Sequence, residues 1–140
     1  MTIEVRYEGG TRFSATVAET PAGGPFTVYT GKGEDGDTGK DGMYPSQLFA
    51  AALGMCVGGY VLSYCQHHDI PHEDLTIDVD RETARGPSRT TKVTLTVKVP
   101  AVLEEKDAEA ILKVAGRCHI TNSISIREPV EIICRLRSGG

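Results

Sequence analysis

Pro45-Ser46-Gln47-Leu48-Phe49-Ala50-Ala51-Ala52-Leu53-Gly54-Met55-Cys56, continued by Val57-Gly58-Gly59-Tyr60-Val61-Leu62-Ser63-Tyr64-Cys65-Gln66-His67, is the stretch on which the fold turns. Pro45 suits the first turn of a helix, where its missing N–H costs nothing. Leu48 to Cys65 carry no charge. At 3.6 residues per turn, the apolar positions, among them Leu48, Leu53, Val57, Val61 and Leu62, point in every direction. The pattern predicts one helix over about Pro45–His67, apolar all round and so buried on all sides. Its length equals a bilayer span, but it is as rich in Ala, Gly, Ser and Tyr as in strong hydrophobes. It also lacks basic anchors, so it reads as a core helix. Ala50, Ala51, Ala52, Gly54, Gly58 and Gly59 permit close approach of other elements. A 140-residue chain can hardly wrap such a helix alone, which points to a second subunit.

Strands precede the helix. Ile3, Val5 and Tyr7 alternate, Gly9-Gly10 supplies a turn, and Phe13, Ala15 and Val17 alternate again, which reads as a hairpin. Phe26 to Tyr29 is a short apolar run suited to a third strand. Residues 31–42 contain five glycines and no apolar residue. They fit neither a P-loop, because Asp41 follows Gly39-Lys40, nor an EF-hand, because Lys40 stands where glycine is required. A mobile, solvated loop is expected there.

After the helix and Pro71, Leu75, Ile77 and Val79 alternate, Gly86-Pro87 turns the chain, and Val93, Leu95, Val97 and Val99 alternate up to Pro100. A second helix follows. Glu104, Glu105 and Asp107 favour its N-terminal dipole, Ala108, Ile111, Leu112 and Ala115 form its apolar stripe, and Gly116 ends it. A last strand sets Val130, Ile132, Cys134 and Leu136 on one face. The order is β-β-β-α-β-β-α-β, an α+β fold in one domain spanning residues 1–140, with no repeat and no linker.

Composition narrows the function. A net charge of −4, with no Lys/Arg cluster, argues against nucleic acid and anionic membrane as partners. The N-terminus alternates like a strand and lacks the regions of a signal peptide, so a cytoplasmic protein is expected. Four cysteines, Cys56, Cys65, Cys118 and Cys134, form no CxxC pair, which gives a zinc site or thioredoxin motif little support. Cys134 reads as a core residue. Cys65 lies nine residues after Cys56, roughly 180° around the helix, so these two cannot bond within it. Cys56 and Cys118 remain, and residue type alone favours packing over reactivity for both.

The Pro45–Cys56 segment resembles the central helix of the osmotically induced protein C and organic hydroperoxide resistance (OsmC/Ohr) family, in which a cysteine stands eleven positions after the proline. Ala115-Gly116-Arg117-Cys118-His119-Ile120-Thr121-Asn122-Ser123 is similar to the family's second motif. Together with the element order, the likeness covers nearly the whole chain. It implies antiparallel sheets around a long buried central helix in an intertwined homodimer, without cofactor or metal. It also implies a thiol-dependent peroxidase. Cys56 would be the peroxidatic residue, oxidised to a sulfenic acid by an organic hydroperoxide. Cys118 would be the resolving residue, closing a Cys56–Cys118 disulfide that a lipoyl-type external dithiol reduces.

Only a thiolate attacks, so a cation is needed beside Cys56. Arg12, after the Gly9-Gly10 turn, resembles the arginine that one branch carries. Lys32 and Arg117 are weaker candidates, and Arg12 could equally be a plain surface residue. The chain departs from the family at Ser46, where the hydroperoxide branch has a glutamate that orients the arginine, and at His119, where it has proline. Those departures motivate a second reading, a non-catalytic dimeric protein that holds a small molecule in an apolar cleft. A third, a metal-binding regulator using His67, His68, Asp69 and His72, lacks an ordered ligand spacing. A polar helix end is the better account of those residues.

Overall fold

The computed structural model describes residues 1–124 and 131–139. Val130, read above as part of the last strand, lies outside them. The first sheet is antiparallel in the order β1 (Ile3–Tyr7), β2 (Phe13–Val17), β3 (Phe26–Thr30). Gly9 and Gly10 make the β1–β2 turn at φ of 92° and 59°, the region that glycine enters without steric cost. The register aligns Ile3 with Val17 and Phe26, Val5 with Ala15 and Val28, and Tyr7 with Phe13 and Thr30. Aligned residues share a face, so one side of this sheet is apolar. Within one chain that side stays open: Ile3, Val5, Tyr7, Phe13, Phe26 and Val28 are all exposed.

The glycine-rich segment 31–42 is not the loosely solvated loop its composition predicts. Gly42 N–H donates to the Gly31 carbonyl at 2.9 Å, pinning the two ends together. A side chain at Gly42 would collide with the Tyr29 carbonyl. Between these ends, Asp37 accepts a hydrogen bond from Gly39 N–H at 3.2 Å and starts a 3₁₀ turn over Thr38–Lys40.

Two compact units divide the chain, Met1–Phe49 and Ala50–Gly140, so the boundary falls inside α1 (Pro45–His67). The helix has the bounds the sequence predicts. Gln47 Oε1 accepts from Tyr44 N–H at 2.9 Å, the side-chain half of a capping box. Burial differs from expectation. Ala50, Leu53, Gly54, Val57, Val61 and Cys65 are buried, a stripe at spacings of one to four residues, while Met55 and Tyr60 on the other side are 67% and 43% exposed. In the second unit the helix packs on one face of one sheet, and that can bury only one side. A Cβ at Gly54 would lie 2.7 Å from Val79 Cγ2, so the small residue there sets how closely the helix meets the sheet.

That second sheet runs β4 (Thr76–Ala84), β5 (Arg89–Val99), β6 (Glu131–Ser138). β4 and β5 form the expected antiparallel hairpin, but β6 pairs parallel to β5. The expectation of purely antiparallel sheets is corrected here, and connectivity gives the reason. Between β5 and β6 the chain makes α2 (Glu105–Ala115) and α3 (His119–Ile124), a crossover that returns it to the same end of the sheet. α3 is an addition to the predicted order. Val93, Leu95, Val97 and Val99 are essentially unexposed. The register sets Val93, Leu95 and Val97 beside Ile132, Cys134 and Leu136. On α2, Ile111 and Ala115 are buried but Leu112 is exposed.

Candidate functional site

Cys56 sits half-buried on α1, on the border between the packed stripe and the open side. With Met55, Gly59, Tyr60 and Ser63 it lines an open, mostly apolar groove of about 370 Å³. Tyr60 and Ser63 also belong to an adjoining groove of about 270 Å³, walled by Tyr64, His67, His68 and Val114. Cys56 thus borders a groove that is open to solvent. The missing Cβ at Gly59, where nothing lies within 4 Å, keeps that approach wide.

Cys118 is wholly buried. Gly116 closes α2 by donating its N–H to the Leu112 carbonyl, and two residues later Cys118 stands at the start of α3. Thr121 N–H donates to Cys118 Sγ at 3.4 Å, and Thr121 Oγ1 lies 3.0 Å from the same sulfur. The thiol thus fills the capping place that Ser or Asp usually takes. Cys118 belongs to the buried core of the second unit, and both Cys56 and Cys134 pack against that core. All four cysteines are free thiols. Cys65 faces the core from the buried stripe, as its spacing from Cys56 predicts. Its thiol is pushed up by burial first and then by the charge of Asp107. Cys134 is pushed up by burial first and then by the charge of Cys118.

Arg12 is not a surface residue. It is 1% exposed and lies inside the glycine-rich segment. Nη1 donates to Asp35 Oδ1 and Oδ2 at 2.9 and 2.8 Å, and Nη2 to the Asp37 carbonyl at 2.7 Å and Asp41 Oδ1 at 2.9 Å. Nε alone has no partner among the described residues. A Cβ at Gly33 would overlap the guanidinium, which explains the glycine there. Bonding to Asp41 leads the causes that raise Arg12. Asp41 is lowered chiefly by the same bond, and Asp35 by a hydrogen bond from the Asp37 backbone and then by Arg12. One guanidinium facing two carboxylates leaves the cluster net negative. Lys32 and Arg117 are exposed, and Gln47, occupied at the helix start, makes no bond to Arg12.

One polar pair went unseen in the sequence. Tyr64 Oη donates to Asp107 Oδ1 at 2.8 Å and ties α1 to the first turn of α2, while the Tyr64 ring stacks on His68 with centroids 3.9 Å apart. Nothing in the spacing of residues 43 apart could announce it. The Nδ1 atoms of His67, His68 and His72 each pair with a backbone carbonyl, of Ser63, Tyr64 and Ile70 respectively. Among the described residues no three His, Cys, Asp or Glu side chains converge as a metal would require.

Two three-stranded sheets and a long helix rich in small residues define a mixed α+β architecture. Residues 36–133 match the OsmC-like protein family, and this chain belongs to it. No curated protein matches the sequence. Solved structures share its fold: an OsmC-like protein from Mycoplasma pneumoniae is 13% identical with a TM-score of 0.76, over 99% of this chain and 96% of that one. A Psychrobacter arcticus protein named for osmotic stress and detoxification is 21% identical with a TM-score of 0.76, over 99% and 95%. The organic hydroperoxide resistance protein OhrB of Bacillus subtilis is 20% identical with a TM-score of 0.57, over 98% of each chain.

Proposed function

We propose that this protein is a thiol peroxidase that reduces organic hydroperoxides to alcohols, with Cys56 peroxidatic and Cys118 resolving. The observation that carries the reading is the placement of Cys56: half-buried, beside an apolar groove open to solvent, against the same core that holds Cys118. The Cys56 thiolate attacks the distal oxygen of the hydroperoxide. The O–O bond breaks, the alcohol departs with a proton, and Cys56 becomes a sulfenic acid. The Cys118 thiol then attacks that sulfur, water leaves, and a disulfide remains for an external dithiol to reduce by exchange. Met55 and Tyr60 give the groove its affinity for an apolar substrate. By the family resemblance alone, Arg12 is assigned the stabilisation of the thiolate, and Ser46 stands where the family glutamate would orient it.

The open apolar face of the first sheet supports a homodimer, because a patch of this kind on a folded chain is a surface for a partner. A cytoplasmic setting fits four unpaired thiols. The second reading, a non-catalytic binding protein, draws on one observation: the charge of Arg12 is already met by two carboxylates. One equivalent of cumene hydroperoxide should remove two of the four titratable thiols, and Cys56→Ser should abolish peroxide consumption. Survival of all four thiols would reject the enzyme in favour of the binding protein.

A further inference from the structure

We propose that Met55 is an oxidation site served by the groove beside Cys56: a hydroperoxide held there converts the Met55 thioether to a sulfoxide, and the groove then loses its hold on apolar molecules. The inference rests on the groove that the peroxidase reading uses, and on no reaction of Cys56. Met55 precedes Cys56 on α1 and lines the same groove of about 370 Å³ with Gly59, Tyr60 and Ser63. It is 67% exposed while Cys56 is partly buried, so an incoming molecule meets the Met55 side chain at least as readily. The chain has three methionines. Met1 and Met43 are also exposed, at 96% and 48%, but neither lines this groove or the adjoining one. A mostly apolar groove gathers apolar hydroperoxides in preference to small polar ones, and it gathers them at Met55.

A thiol must lose its proton before it attacks, whereas a thioether has none to lose. Met55 therefore needs no cation, which matters because the charge of Arg12 is already met by Asp35 and Asp41. The Met55 sulfur attacks the distal oxygen of the hydroperoxide and the O–O bond breaks. The proton on that oxygen moves to the departing alkoxide, directly or over the Tyr60 or Ser63 hydroxyl in the groove. The sulfur loses two electrons, the hydroperoxide gains them, and the products are a sulfoxide and an alcohol. A flexible apolar side chain has become a polar one, whose water is costly to displace. Excess hydroperoxide thereby weakens the groove that gathers it, and reduction of the sulfoxide restores it.

Cys56→Ser protein should be treated with cumene hydroperoxide or with hydrogen peroxide, and oxidation at Met1, Met43 and Met55 followed by peptide mass. The ratio of the Met55 rate to the Met43 rate is expected to be about fourfold higher with cumene hydroperoxide, the enrichment that apolar contact equal to one buried CH₂ provides. Excess cumyl alcohol, which occupies the groove without oxidising it, should slow Met55 and leave Met1 and Met43 unchanged. After oxidation, cumyl alcohol should bind more weakly by calorimetry, and adding Met55→Leu should remove that loss. Wild-type protein should show the same selectivity once its thiols are spent, so the outcome does not depend on the folding of one variant. Equal ratios with the two oxidants, no protection by cumyl alcohol, or unchanged affinity after Met55 is oxidised each overturns the inference. If hydroperoxide spares all four wild-type thiols yet oxidises Met55 selectively, the peroxidase reading has failed and this inference stands. If the thiols are consumed and Met55 shows no preference for cumene hydroperoxide, the peroxidase stands and this inference has failed.

Discussion

The Arg12 guanidinium and the core around Cys118 are both buried, yet opposite forces hold them. In the first, a guanidinium with 1% exposure is surrounded by carboxylates and carbonyls, and glycines at 31, 33 and 42 make room for backbone and charge. In the second, Leu53, Val57, Val61, Val93, Leu95, Val97 and Ile111 exclude water completely, and among the described residues the sulfur of Cys118 finds only a threonine hydroxyl and one amide. Charge organises the first region and apolar area the second. The two should therefore answer to different perturbations.

The largest effect should come from the core. Leu53→Ala leaves a cavity under α1 and is expected to cost about 3 kcal/mol, read as a lower urea midpoint. Amide protection in residues 31–42 under native conditions should change far less. Equal loss of protection in both regions would break the contrast.

Acid should act the other way round. Asp35 and Asp41 have carboxyls held below their ordinary value in the folded chain, so their contribution is fully present above the unfolded carboxylate range, about 3.9. It is lost as the pH falls through their lower folded values. Hydrogen exchange, corrected for intrinsic rates, should show Thr11, Gly33 and Gly42 losing protection below about pH 4, with the β5 amides still protected. Uniform loss would mean that the ion pairs do not organise the segment. The smallest effect belongs to a contact that combines both kinds of force: Tyr64→Phe keeps the ring on His68 but removes the bond to Asp107, and should cost about 1 kcal/mol by urea denaturation.

Much of this architecture was legible because it is local. Pro45, the chargeless run to Cys65 and the alternation in β1, β2, β4 and β5 specify elements that the structure reproduces, although β4 and β5 run about four to five residues further toward their shared turn. The nine-residue offset of Cys65 from Cys56 placed one in the core and the other at its border. What stayed hidden is non-local. Arg12 meets its carboxylates 23 and 29 positions away, and no periodicity connects them, so the segment read as solvent-filled. Parallel pairing of β6 depends on the direction of a crossover, to which side-chain alternation is blind. The open sheet face was invisible for a related reason: alternation marks a face for burial without naming what covers it.

Strand order carries a consequence for synthesis on the ribosome. β5 is the middle strand of its sheet, but one of its two neighbours is built from residues 131–138. Until that stretch leaves the exit tunnel, a valine-rich ribbon has one row of amides and carbonyls unmatched, which is a template for another nascent chain. Translation stalled before residue 131 should yield insoluble product, whereas release a few codons later should rescue it.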